Sequence, residues 1–154
     1  MTAPAGSRAR AIALALATCA LVVGLDQAVK GLVDTQIARG DSVEVFPFLA
    51  IENTRNTGIA FGLADDVSPA LIGVTLVALI GLLAFMATRG GDNTPMWLAA
   101  GLLVGGALSN LADRVREEAV IDYVDIGPWP TFNLADVAIV AGVTVLVLVS
   151  FRRE

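Results

Sequence analysis

The chain has no histidine, a single cysteine and a single tyrosine, and only one of its ten basic residues is a lysine. Each scarcity removes some chemistry. Without histidine there is no Ser-His or Cys-His pair and no HExxH zinc site. Cys19 stands alone, so disulfide and metal-thiolate roles fall away and it reads as a small buried hydrophobe. A Ser-Lys dyad would have to use Lys30, and no serine has an evident reason to partner it. Charge is scarce too: 16% of residues are charged against 56% hydrophobic, with a mean hydropathy of +0.75. A soluble four-helix bundle needs a polar face on every helix, and the apolar runs here show none.

Four apolar stretches are present, at 11–25, 69–88, 95–109 and 134–151. Each is near the ~17–25 residues that carry a helix across ~30 Å of hydrocarbon. The first and third reach that length by including polar residues at one end. The expected fold is an all-α membrane protein, one integral membrane domain over 1–154, with four transmembrane helices at about 9–30, 69–88, 95–112 and 134–151. Leu16-Ala17-Thr18-Cys19 loosely resembles a lipoprotein cleavage box, but the apolar run continues past the cysteine, which favours a retained spanning helix. Between helices 1 and 2, residues 31–66 are expected to form a small extracytoplasmic β-sheet domain lying on the membrane surface. Val43, Val45, Phe46 and Phe48, then 49–51, read as short strands broken by Pro47, and Asn56-Thr57-Gly58 as a turn. Ser68-Pro69 and Thr94-Pro95 each place a capping residue before a helix-starting proline.

Orientation follows from arginine and lysine density. Arg8 and Arg10, Arg89, and Arg152 and Arg153 occupy short segments with almost no acid, which all lie on one side if every run crosses. Basic short loops face the cytoplasm, so both termini are expected there, in a multi-pass membrane protein. The longer, acid-rich connections then face outward. The net charge of −5 therefore carries no suggestion of a nucleic-acid partner.

Polar residues gather at the outer ends of three helices. Asp26 and Lys30 are four apart near the end of the first, with the acid N-terminal to the base, the favourable order for an ion pair. Asn110, Asp113 and Arg114 follow Gly101, Gly105 and Ser109, small residues whose four-residue spacing allows close helix packing in lipid. Asn133 and Asp136 open the fourth helix with the shape of a capping box. Asp122 lies on the same side, within Val120-Ile121-Asp122-Tyr123-Val124. Ionisable groups at membrane depth mark a functional site by default. Two carboxylates sharing a site divide one proton, as an aspartic protease requires. Apolar neighbours favour the protonated form of Asp122, and the helix dipole favours the ionised form of Asp136. A proton-coupled transporter is the main alternative, but its carboxylate belongs near the midplane. A membrane scaffold would leave the same acids as helix caps.

Five motifs then occur in order: Asp26-Gln27-Ala28-Val29-Lys30, Asn56-Thr57-Gly58-Ile59-Ala60-Phe61, the run from Gly105 to Arg114, Val120-Ile121-Asp122-Tyr123, and Phe132-Asn133-Leu134-Ala135-Asp136. In that order they resemble the bacterial lipoprotein signal peptidases (signal peptidase II), a family whose location is the bacterial cytoplasmic (inner) membrane. The resemblance implies a metal-free, cofactor-free intramembrane aspartic endopeptidase. It would cleave diacylglyceryl-modified prolipoproteins on the N-terminal side of the lipidated cysteine. It carries the catalytic pair onto Asp122 and Asp136. Asp26, Lys30, Asn56, Asn110, Arg114 and Asn133 match its substrate-binding or site-supporting residues, and Asp113 a more structural position. Ser109 stands where the family usually has glycine and Tyr123 where phenylalanine is common, both small changes in volume. The connection holding Gly127-Pro128-Trp129-Pro130 is short for the family, and Trp129 reads as an interfacial anchor. Expected partners are the lipid-modified precursor and membrane lipids, with the enzyme a monomer and its active site near the outer face.

Overall fold

The computed structural model describes residues 5–58, 68–91 and 93–151. Four helices dominate it: α1 (Ala5–Gln36), α2 (Ser68–Arg89), α3 (Thr94–Glu117) and α4 (Leu134–Phe151). Each is long and apolar enough to cross a membrane. Strands β1 (Ser42–Phe46) and β2 (Leu49–Asn56) follow α1, and β3 (Val120–Asp125) follows α3. Leu16, Leu21, Val74, Val77, Ile80 and Val140 lie largely exposed on the helices. In water such a surface would associate, whereas facing hydrocarbon it is the stable arrangement. The chain is a multi-pass membrane protein.

Helix contacts are made by small residues. Ala11, Ala15, Ala99, Ala100, Ala135 and Ala138 are buried between helices. A Cβ on Gly101 would lie 2.5 Å from the Ala15 carbonyl oxygen, and one on Gly105 3.0 Å from that of Cys19. Two steps of the Gly101, Gly105, Ser109 spacing therefore form the α1–α3 seam, where lipid supplies no hydrophobic drive and backbone approach must do the work. On its other side α3 meets α4, with a Cβ at Gly142 2.9 Å from the Ala99 carbonyl. Thus α3 is the central helix, and the α2 backbone approaches α3 alone among the described elements.

The expected sheet is present, with one more member than expected. β1 pairs antiparallel with β2, and β2 pairs antiparallel with β3, in the order β1-β2-β3. The third strand comes from the connection after α3 and carries Asp122, opposite Thr54 of β2. Its Val-Ile-x-Tyr-Val pattern of β-branched and aromatic residues is itself a strand signal. Of the 31–66 segment, 31–36 continue α1, because nothing there breaks a helix, and 59–66 lie outside the described residues. The Asn53 side chain donates to the Ile37 carbonyl at 2.7 Å, tying the end of α1 to β2.

Two helix boundaries also shift. α3 runs to Glu117, past the expected end at 112, and stops where Glu118 turns left-handed (φ 59°) and bonds back to the Arg114 carbonyl. Asn110, Asp113 and Arg114 are therefore inside the helix, on one face. Its N-cap is Asn93 rather than Thr94: the Asn93 side chain accepts from the Met96 N–H at 3.0 Å. Asparagine caps at least as well as threonine, so the cap falls one residue earlier.

Candidate active site

Asp122 and Asp136 reach the same place from different elements. β3 presents Asp122, which is 1% exposed, and the first turn of α4 presents Asp136, which is half-buried. Three asparagines hold them. Asn133 donates its amide to Asp122 Oδ1 at 2.7 Å and its backbone N–H to Asp136 Oδ2 at 3.2 Å. Asn56, at the end of β2, donates to Asp122 Oδ2 at 2.8 Å, and Asn110 of α3 donates to Asp136 Oδ1 at 2.8 Å. The Asn133 side chain also accepts from the Asp136 N–H at 2.9 Å, completing the expected reciprocal capping box. Asparagine amides donate without adding charge. Burial pushes the Asp122 carboxyl up to about 6. The Asn56 and Asn133 amides pull against that rise, and the neighbouring Asp136 adds to it.

Behind this pair sits a closed ionic cluster. Lys30 is 1% exposed, and its ammonium meets Asp26 at 2.7 Å, Asp113 at 2.6 Å and the Asn110 side-chain oxygen Oδ1 at 2.9 Å. Three partners match its three N–H groups, which is how a buried cation is tolerated. The two carboxylates are further satisfied. Asp26 accepts from Ser109 Oγ (2.6 Å), the Ala135 N–H (3.1 Å) and the Tyr123 hydroxyl (3.3 Å). Asp113 accepts from Gln27 (2.7 Å) and the Ile121 N–H (3.2 Å), which fixes β3 against α3. Asn110 belongs to both clusters and joins them.

The structure thus brings together Asp26, Lys30, Asn56, Asn110, Asn133, Asp122 and Asp136. Arg114 lies beside them, its guanidinium 3.5 Å from the Asn110 carbonyl. Its Nε is buried without a hydrogen-bond partner among the described residues. Of the second motif, Asn56, Thr57 and Gly58 are described and Ile59-Ala60-Phe61 lies outside the described residues. Gln27, Ser109 and Tyr123 were not singled out from sequence as parts of the site. For Gln27 a signal existed: a third polar residue, between Asp26 and Lys30, just after the apolar run of α1. Ser109 is fully buried, and the Tyr123 hydroxyl is held above its usual range by burial and the charge of Asp26.

Two grooves open beside Asp136. The larger, about 460 Å³, runs between α2 and the α3–α4 pair, with Val74, Leu79 and Leu103 on its walls and Asn110, Arg114 and Asp136 at its polar end. The other, about 420 Å³, is formed by Ile126, Trp129, Phe132 and the outer face of α4 at Val137 and Val140. A carboxylate at the end of an apolar groove can meet an apolar chain bearing one polar bond to be broken.

The comparisons agree with this architecture. The chain is 39% identical over 127 residues to the lipoprotein signal peptidase of Moorella thermoacetica, covering 82% of this chain and 85% of that one. It is 38% identical over 149 residues to that of Syntrophotalea carbinolica, covering 92% and 91%. A solved bacterial membrane enzyme superposes with a TM-score of 0.85 at 32% identity, over 91% of this chain and 94% of the other. The family model described as signal peptidase (SPase) II matches residues 18–152, and the chain belongs to that family.

Proposed function

We propose that this membrane peptidase is an aspartic endopeptidase whose dyad is Asp122 and Asp136. It removes signal peptides from prolipoproteins, and the scissile bond lies immediately before a diacylglyceryl-modified cysteine. The observation that carries this reading is the pair of aspartates, one from β3 and one from α4, braced by the shared Asn133 at the polar end of an apolar groove. Asp136, the more accessible acid, takes a proton from water, and the resulting hydroxide equivalent attacks the peptide carbonyl carbon. Asp122, fully buried and raised to about 6, holds the proton that the carbonyl oxygen receives. Collapse of the tetrahedral intermediate breaks the C–N bond, the amine of the cysteine leaves with a proton, and the dyad is restored. Arg114, with free hydrogen-bonding capacity beside the groove, orients the substrate backbone.

Membrane depth supports the same substrate. The dyad, the Lys30 cluster and the sheet all lie where α1 and α3 end and α4 begins, at one edge of the bundle. A lipidated cysteine is anchored by its acyl chains near an interface, so its peptide bond lies at that edge. With the arginine-rich ends cytoplasmic, that edge is the outer one of the bacterial cytoplasmic membrane. The enzyme acts as a monomer among membrane lipids.

The test is cleavage of a diacylglyceryl-prolipoprotein by purified protein. Asp122→Asn and Asp136→Asn each lower kcat by about 10²–10⁴-fold, the range for loss of a positioned acid or base. Full activity in either variant would refute the dyad.

A further inference from the structure

The amide groups that open α4 are satisfied in an unusual way. A helix leaves its first N–H groups without intrahelical acceptors. Here the Asp136 N–H uses the local Asn133 cap, but the two before it use distant side chains. The Leu134 N–H donates to the Tyr123 hydroxyl oxygen at 3.0 Å, and the Ala135 N–H donates to Asp26 Oδ1 at 3.1 Å. The Tyr123 O–H in turn donates to that same Asp26 oxygen at 3.3 Å. The other Asp26 oxygen is held by Ser109 Oγ at 2.6 Å and Lys30 at 2.7 Å, and Ser109 Oγ accepts from Gln27 at 3.0 Å. Donor and acceptor are fixed at every step: the tyrosine oxygen accepts from α4 and must give its proton to α1.

Consecutive residues of β3 therefore grip α4 from opposite faces of the strand. Asp122 reaches Asn133, and Tyr123 reaches Leu134. Asp136 is two residues beyond Leu134, in the same helical turn. From this we infer that Tyr123 is a positioning residue: its hydroxyl, oriented by Asp26 and Ser109, sets the start of α4 against β3 and hence the placement of Asp136 relative to Asp122. The inference rests on the dyad reading of Asp122 and Asp136. Tyr123 is buried, and the hydrogen bonds of its hydroxyl go to Asp26 and Leu134 rather than to Asp122 or Asp136. It acts through the Leu134 amide, and its burial keeps the hydroxyl protonated, as a donor to Asp26 must be.

Tyr123→Phe removes one oxygen and keeps the ring, so packing is retained while the Leu134 N–H loses its acceptor. Small displacements of catalytic groups carry large rate penalties, so kcat on a diacylglyceryl-prolipoprotein falls about ten- to a hundredfold while KM stays within about twofold. Since the charge of Asp136 contributes to the raised Asp122 carboxyl, a displaced α4 also moves the alkaline limb of the kcat profile to lower pH. Ser109→Ala removes a donor from the other oxygen of the same Asp26 carboxylate, from the α3 side, and shows the same split to a smaller extent. It stands as the second variant should Tyr123→Phe fold poorly. Asp122→Asn and Asp136→Asn, assayed alongside, report on the dyad itself. If those two are inactive while Tyr123→Phe keeps its kcat and alkaline limb, or loses activity only through KM, the positioning role is overturned and the dyad stands. If they remain active, the dyad reading has failed first.

Discussion

Two buried polar clusters share Asn110 yet are built on opposite principles. The Lys30 cluster is closed and ionic, its cation matched bond for bond by Asp26, Asp113 and Asn110. The Asp122–Asp136 cluster is open on one side, its acids being held by neutral asparagine amides. A carboxylate held by amides keeps a negotiable proton, which is what hydrolysis requires. The contrast separates a cluster that ties helices together from the one to which the proposed chemistry is assigned.

Breaking the closed cluster should have the largest consequence for stability. Lys30→Met leaves Asp26 and Asp113 buried without their cation, which costs about 3–5 kcal/mol and lowers the unfolding temperature in detergent. Because Lys30 also fixes Asn110, activity falls with it. A variant of unchanged melting behaviour would dissolve the distinction between the clusters. In the open cluster, pH is the sharper probe. The Asp122 carboxyl, raised to about 6, is protonated below that value and loses its proton above it. Activity that needs this proton therefore declines as pH rises through and beyond about 6. Asn56→Ala removes a donor that favours the ionised carboxylate, so the alkaline limb of kcat moves to higher pH, as a pH–rate series will record. Movement in the opposite direction would mean that Asn56 serves the protonated form.

The smallest effect belongs to a third kind of polar contact. Arg39 meets Glu117 at 2.5 Å where the end of α1 passes the end of α3, in a pair open to solvent. Arg39→Ala changes stability by no more than about 1 kcal/mol, since water screens such a pair and ordering it costs entropy. Thermal unfolding in low and high salt reads this directly.

The four helices were legible because hydrocarbon imposes a length and an apolar composition on anything that crosses it. The i,i+4 pair of Asp26 and Lys30 and the Asn133–Asp136 box were legible for a similar reason, as both are set by the geometry of a single helix. β3 was not separated from its surroundings, because a strand is completed by its partner and β2 lies 64 or more residues earlier in the chain. Ser109 and Tyr123 illustrate the limit most clearly. As sequence they are small changes in volume, whereas in space both hydroxyls point at one carboxylate of α1.

By itself the sequence determined that this chain has four runs fit to cross a membrane and that its polar residues, Asp122 and Asp136 among them, collect at the helix ends. Those properties depend on composition and on periodicities within one element. The tertiary structure alone decided which asparagines hold which aspartate, that one acid is sealed while the other faces a groove, and that an aspartate of α1 caps α4. Such contacts join residues from separate helices and strands, and no local periodicity encodes the distance between them.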